Sequence, residues 1–77
     1  MTERDLDRAI IAALAVQRAE YRTLHSIRRG LTANELALTT GQSLERIEAR
    51  LIELKLADRL NGPTSESEEW TSRRRGD

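Results

Sequence analysis

The segment Leu31-Thr32-Ala33-Asn34-Glu35-Leu36-Ala37-Leu38-Thr39-Thr40-Gly41-Gln42-Ser43 contains two helix starts separated by a single glycine. Thr32 followed three residues later by Glu35 is a capping box, in which the hydroxyl and the carboxylate each satisfy an amide of the first turn. Leu31 and Leu36 stand at the spacing of a hydrophobic staple, one before the cap and one at the fourth helical position. Gly41 suits a left-handed helix end, and Ser43 caps the next helix. The spacing predicts two short helices joined by a tight turn, a helix-turn-helix. That arrangement makes nucleic-acid recognition the first function to consider.

Seventy-seven residues make one small domain with a modest core. The chain has no cysteine, which excludes disulfides and thiolate metal sites. With His25 as its single histidine, a zinc site and a Ser/His/Asp grouping both lack their parts. His25, between Leu24 and Ser26, reads as a surface or boundary residue. The acids are spread over helix surfaces without metal-loop spacing, and no Gly-rich phosphate loop occurs. A non-enzyme with no cofactor is therefore expected. No apolar run approaches membrane-spanning length and no signal-peptide pattern opens the chain, so a cytoplasmic protein without membrane contact is expected.

Twelve of the thirteen basic residues are Arg, Lys55 being the exception, and thirteen acids bring the net charge to zero. The sum is uneven along the chain. Residues 1–31 carry six Arg against four acids, residues 32–60 four basic groups against five acids, and residues 61–77 three Arg against four acids. The half that holds the helix pair is thus slightly acidic, whereas nucleic-acid binders usually carry a basic excess.

Thr2 is a cap for a first helix, with Asp5 three positions on and Glu3 and Asp7 near its positive end. Leu6, Ile10, Ala13, Leu14, Gln17, Tyr21, Leu24 and Ile27 share one face at 3.6 residues per turn. This pattern predicts a helix over residues 3–19 at least, with room to continue to Arg29 across a break near Glu20–Thr23; Gly30 stops it. A second helix is expected over 33–40. A third is expected over 44–54, buried through Leu44, Ile47, Leu51 and Leu54. Lys55–Leu60 alternates Leu56, Asp58 and Leu60 with Ala57 and Arg59, which predicts a short strand. Asn61-Gly62-Pro63-Thr64-Ser65 is a turn, and Glu68–Ser72 returns as the partner strand with Trp70 closing the core.

Three helices followed by a β-hairpin is the element order of a winged helix-turn-helix. Leu31-Thr32-Ala33-Asn34-Glu35-Leu36-Ala37-Leu38-Thr39-Thr40-Gly41 resembles the "Leu-Thr-x-x-Glu-Leu-Ala-x-x-x-Gly" second helix of winged-helix transcriptional regulators of the MarR and ArsR kinds. Leu51-Ile52-Glu53-Leu54-Lys55-Leu56-Ala57-Asp58-Arg59 resembles their "Leu-x-x-x-Gly-Leu-Val-x-Arg" approach to the wing, with Lys55 in place of the Gly, and Trp70-Thr71 resembles its return. The resemblance covers residues 31–72. It implies a mainly α protein with a small β-hairpin: one winged-helix domain over 1–72, made of an N-terminal helix (1–30), a helix-turn-helix (31–54) and a two-stranded wing (55–72). Residues 73–77 are expected to form a flexible basic tail.

In proteins of this shape the third helix enters the major groove and the wing touches phosphate or the minor groove. Carried onto this chain, the groove-facing positions are Ser43, Glu45, Arg46, Ala49 and Arg50. The wing positions are Arg59, Asn61 and Thr64, and Arg73 and Arg74 come next in the tail. Arg46 and Arg50, four apart on one face, suit guanine or phosphate contacts, while Glu45 and Glu48 oppose them. Arg4, Arg18, Arg22 and Arg29 form a further basic stripe on a continuous first helix. Tyr21, Leu24 and Ile27 suit either the domain's own core or a homodimer contact through the N-terminal helix. Two functions stay open: a sequence-specific binder of double-stranded DNA acting as a transcriptional regulator, or a winged-helix module that binds a protein partner without touching DNA.

Overall fold

The computed structural model describes residues 2–23, 29–63 and 68–72. It contains three helices, α1 (Glu3–Thr23), α2 (Ala33–Thr40) and α3 (Leu44–Leu56), followed by a two-stranded antiparallel sheet of β1 (Leu60–Asn61) and β2 (Thr71–Ser72). The coarse class expected from the sequence, mainly helical with a small hairpin, is the one observed.

Each helix starts where the capping chemistry placed it. The Asp5 amide donates to Thr2 Oγ1 at 3.2 Å. Thr32 is extended at φ −78° and completes the capping box: its Oγ1 accepts from the Glu35 amide at 3.3 Å, and its own amide donates to Glu35 Oε1 at 3.1 Å. Ser43 Oγ accepts from the Arg46 amide at 3.3 Å. Gly41 ends α2 at φ +72°, its amide donating to the Ala37 carbonyl. α1 is continuous over Glu3–Thr23, through the suspected break. Leu24, His25, Ile27 and Arg28 lie outside the described residues.

The end of α3 corrects the sequence reading. Lys55 and Leu56 belong to its last helical turn and not to a strand. Asp58 adopts a left-handed conformation at φ +64°. Its amide bonds to the Lys55 carbonyl, and the Arg59 amide reaches back to the Leu54 carbonyl at 2.9 Å. This pair of bonds is the Schellman arrangement, with Asp58 in the place a glycine usually takes. The chain reverses at Asp58, three residues beyond the Lys55 that aligns with the glycine of the winged-helix pattern. Leu56, Asp58 and Leu60 alternate, but Leu56 and Leu60 are also four apart, so three residues could not separate a strand from one more helical turn. The sheet is accordingly short, with Leu60 opposite Ser72 and Asn61 opposite Thr71.

Leu31 supplies a second partner for the returning strand. It exchanges both backbone hydrogen bonds with Trp70, at 3.1 and 2.8 Å. The residue before the α2 cap is therefore fixed to the residue before β2. This bridge was not foreseen, because a single residue between Gly30 and a helix cap carries no strand pattern.

The core gathers Leu6, Ile10 and Leu14 of α1, Leu36 of α2, Ile47, Leu51 and Leu54 of α3, Leu60 of β1, and Trp70. The spacings of four and three on α1 and α3 are those of a helix with one buried face. Leu44, expected at the head of the α3 stripe, is partly exposed instead. Long-range polar contacts between described residues cross this core at its rim. Arg18 NH1 donates to the Ser72 carbonyl at 2.9 Å, joining α1 to β2. Arg50 joins α3 to α1 through the acids at the start of α1.

Candidate recognition surface on the third helix

With Ile47, Leu51 and Leu54 turned inward, helical geometry turns Glu45, Ala49, Ile52 and Leu56 outward. All four are exposed, Ile52 to 54% and Leu56 to 77%. Glu48 and Lys55 border this strip on one side, and Arg46 and Glu53 on the other. The outward face is thus a strip of Ala49, Ile52 and Leu56 headed by Glu45, with one carboxylate and one cation on each flank. Lys55 folds toward the hairpin, since a Cβ on Gly62 would meet its Nζ at 2.7 Å.

The structure separates the residues expected to meet a nucleic acid. Ser43 uses its hydroxyl oxygen as the α3 cap. Glu45 and Ala49 are exposed. Arg46 is half-buried and donates to Gln42 Oε1 at 2.9 Å. Arg50 is turned toward α1: its Nε and NH2 donate to the two carboxylate oxygens of Asp7, both at 2.8 Å, and its NH1 lies 3.4 Å from Glu3 Oε2. This fork is the bidentate geometry that suits a guanidinium. The hydrogen bond to Asp7 is the main cause that raises the Arg50 pKa above the ordinary arginine value; the charges of Asp7, Glu3 and Glu53 add to it and partial desolvation opposes it. Arg59 and Asn61 are exposed around the start of β1. Thr64, Arg73 and Arg74, with the rest of the tail, lie outside the described residues.

The basic stripe expected on α1 is also partly occupied. Arg18 is bound to the Ser72 carbonyl, and the Arg29 guanidinium sits 5.0 Å from the centre of the Tyr21 ring. That distance is within cation–π range. Tyr21 is half-buried, while Leu24 and Ile27, its suggested companions in a dimer contact, are outside the described residues.

Two features escaped the sequence reading. The acid pair Glu3 and Asp7 lies four apart on α1, but nothing in its own segment points to Arg50, forty-three residues away. The Ile52/Leu56 strip was legible in principle, because both fall opposite the Ile47/Leu51/Leu54 stripe once the helix is carried through Leu56. Ending the helix at Leu54 hid it.

Among the described residues no three His, Cys, Asp or Glu side chains converge to hold a metal ion, and no helix is long and apolar enough to cross a membrane. No protein-family model matches the chain, and neither the curated proteins nor the solved structures yield a match.

Proposed function

We propose that this chain is a winged-helix protein-interaction module that docks a partner on the outward face of α3. The observation that carries this reading is the composition of that face: Ile52 and Leu56 stand exposed among Glu45, Glu48 and Glu53, while Arg50 is engaged by Asp7 and Glu3. A helix laid in the major groove passes between two rows of phosphates, where carboxylates are repelled and counterion release needs cations. Leu and Ile at the centre of the face instead offer what a partner protein buries, with charged residues at the rim. The chain acts by binding, not by catalysis.

The test is a comparison of partners. Duplex DNA from a random pool is titrated at low salt with the wild type and with the Arg46→Ala/Arg50→Ala variant, and no selected sequence is expected. Ile52→Ser/Leu56→Ser is expected to keep the fold and to lose the protein partner held by the wild type. A selected duplex whose affinity falls steeply with salt and with the arginine substitutions overturns the proposal.

The DNA-binding regulator is the second reading. It is favoured by the helix pair itself, joined through the tight Gly41 turn, and by exposed Arg59 and Asn61 at the sheet beside α3. The same titration decides between the two.

A further inference from the structure

We propose that the occupant of the α3 face is a second copy of this chain, with the two α3 helices packed antiparallel about a two-fold axis. The inference rests on the docking function proposed for this face and names its partner. Glu45, Ala49, Ile52 and Leu56 succeed one another at intervals of four, three and four. This is the rhythm of a single seam between two helices. The seam points directly away from the buried stripe, so the domain's own core leaves it uncovered.

Charge fixes the direction. Arg46 and Glu53 line one flank of the seam, Glu48 and Lys55 the other. In an antiparallel pair each flank meets the same flank of the second copy. Ala49 then packs against Ile52 of the second copy, and Leu56 against the aliphatic stem of Glu45. Arg46 comes opposite Glu53, and Glu48 opposite Lys55. The two-fold axis repeats every one of these contacts, as an isologous interface requires. In a parallel pair opposite flanks meet, and Glu48 comes opposite Glu53, a like-charge contact. Flanking charges set orientation in this way between paired helices. Lys55 reaches its partner by swinging its four-carbon stem away from Gly62.

A thirteen-residue helix is about 20 Å long, and a contact of that length falls below the standard interface size. The pairing is accordingly reversible. Sedimentation equilibrium from micromolar to millimolar protein is expected to show a monomer–dimer equilibrium. Glu48→Lys and Lys55→Glu alone should each weaken it by about tenfold, and the two together should restore it. Thermal melts verify that these exposed substitutions leave the fold intact. Because the chain lacks cysteine, Ala49→Cys mixed with Ile52→Cys gives a clean cross-linking test. The mixture is expected to form disulfide dimers faster than either variant alone.

A wild type that stays monomeric throughout overturns the proposal. So does a dimer indifferent to the charge exchange, or one in which Ala49→Cys alone cross-links fastest, the parallel signature. A monomeric wild type that still holds a different protein through Ile52 and Leu56 removes the self-pairing and leaves the docking function standing. Loss of both removes both.

Discussion

Gly30 lies directly beneath the backbone of Trp70: a Cβ built on it would collide with the Trp70 carbonyl oxygen. Along the sequence, Gly30 ends a helical run. In the fold it lets Leu31 come close enough to exchange both backbone hydrogen bonds with Trp70, which ties the α2 cap to the sheet.

Replacing Gly30 with Ala should therefore destabilise the domain. The clash is with backbone rather than with a flexible side-chain end, so the bridge must open to admit a methyl group. Overpacking of this kind costs about 2–3 kcal/mol. Urea unfolding followed through Trp70, the single tryptophan, measures it. A Gly30→Ala variant as stable as the wild type contradicts this account of the bridge.

The Arg50–Asp7 fork predicts a graded response at one position. Arg50→Lys keeps a charge but loses the planar pair of donors, and Arg50→Ala loses both. The melting temperature should fall by a few degrees for Lys and further for Ala. The raised Arg50 pKa also fixes the sign of the pH dependence. A group whose pKa is higher in the folded state contributes stability below its unfolded value and loses it as pH rises through the folded one. For Arg50 that window lies above the ordinary arginine value. The stability difference between wild type and Arg50→Ala should thus be unchanged between about pH 7 and about pH 10. A marked decline across that range contradicts the assignment.

The turn between α2 and its neighbours gives two further substitutions of similar size and different cause. Thr32→Ala removes the hydroxyl half of the capping box and should cost about 1 kcal/mol. Gly41→Ala meets no atom within 4 Å, so its cost is conformational only, about 1 kcal/mol for a side chain held at positive φ. Being unrelated in mechanism, the two should add in the double variant. Denaturant midpoints of the set provide the measurement.

Ser72 offers a substitution of the opposite sign. Its hydroxyl is buried and finds no hydrogen-bond partner among the described residues. Ser72→Ala removes that unsatisfied group while leaving the backbone carbonyl that accepts from Arg18. A gain of about 1 kcal/mol is expected. A loss of stability would show that the hydroxyl is bonded in solution.

The amino-acid sequence by itself determined where the helices begin and which of their faces turn inward. Capping residues act on amides two or three positions away, and the apolar spacing comes from the helix repeat, so Thr2, Thr32, Ser43 and the Leu6/Ile10/Leu14 and Ile47/Leu51/Leu54 stripes were legible locally. The end of α3 was not, because Asp58 holds a left-handed conformation that the sequence marks only weakly without glycine. Only the tertiary structure decided which cations remain available to a partner. Arg50 and Asp7 stand forty-three residues apart, and Arg18 and Ser72 fifty-four. No local pattern encodes such a pairing: it arises when packing of the core brings the flanks of α1 within reach of α3 and of β2, and it leaves α3 presenting Ile52 and Leu56 outward in place of a row of arginines.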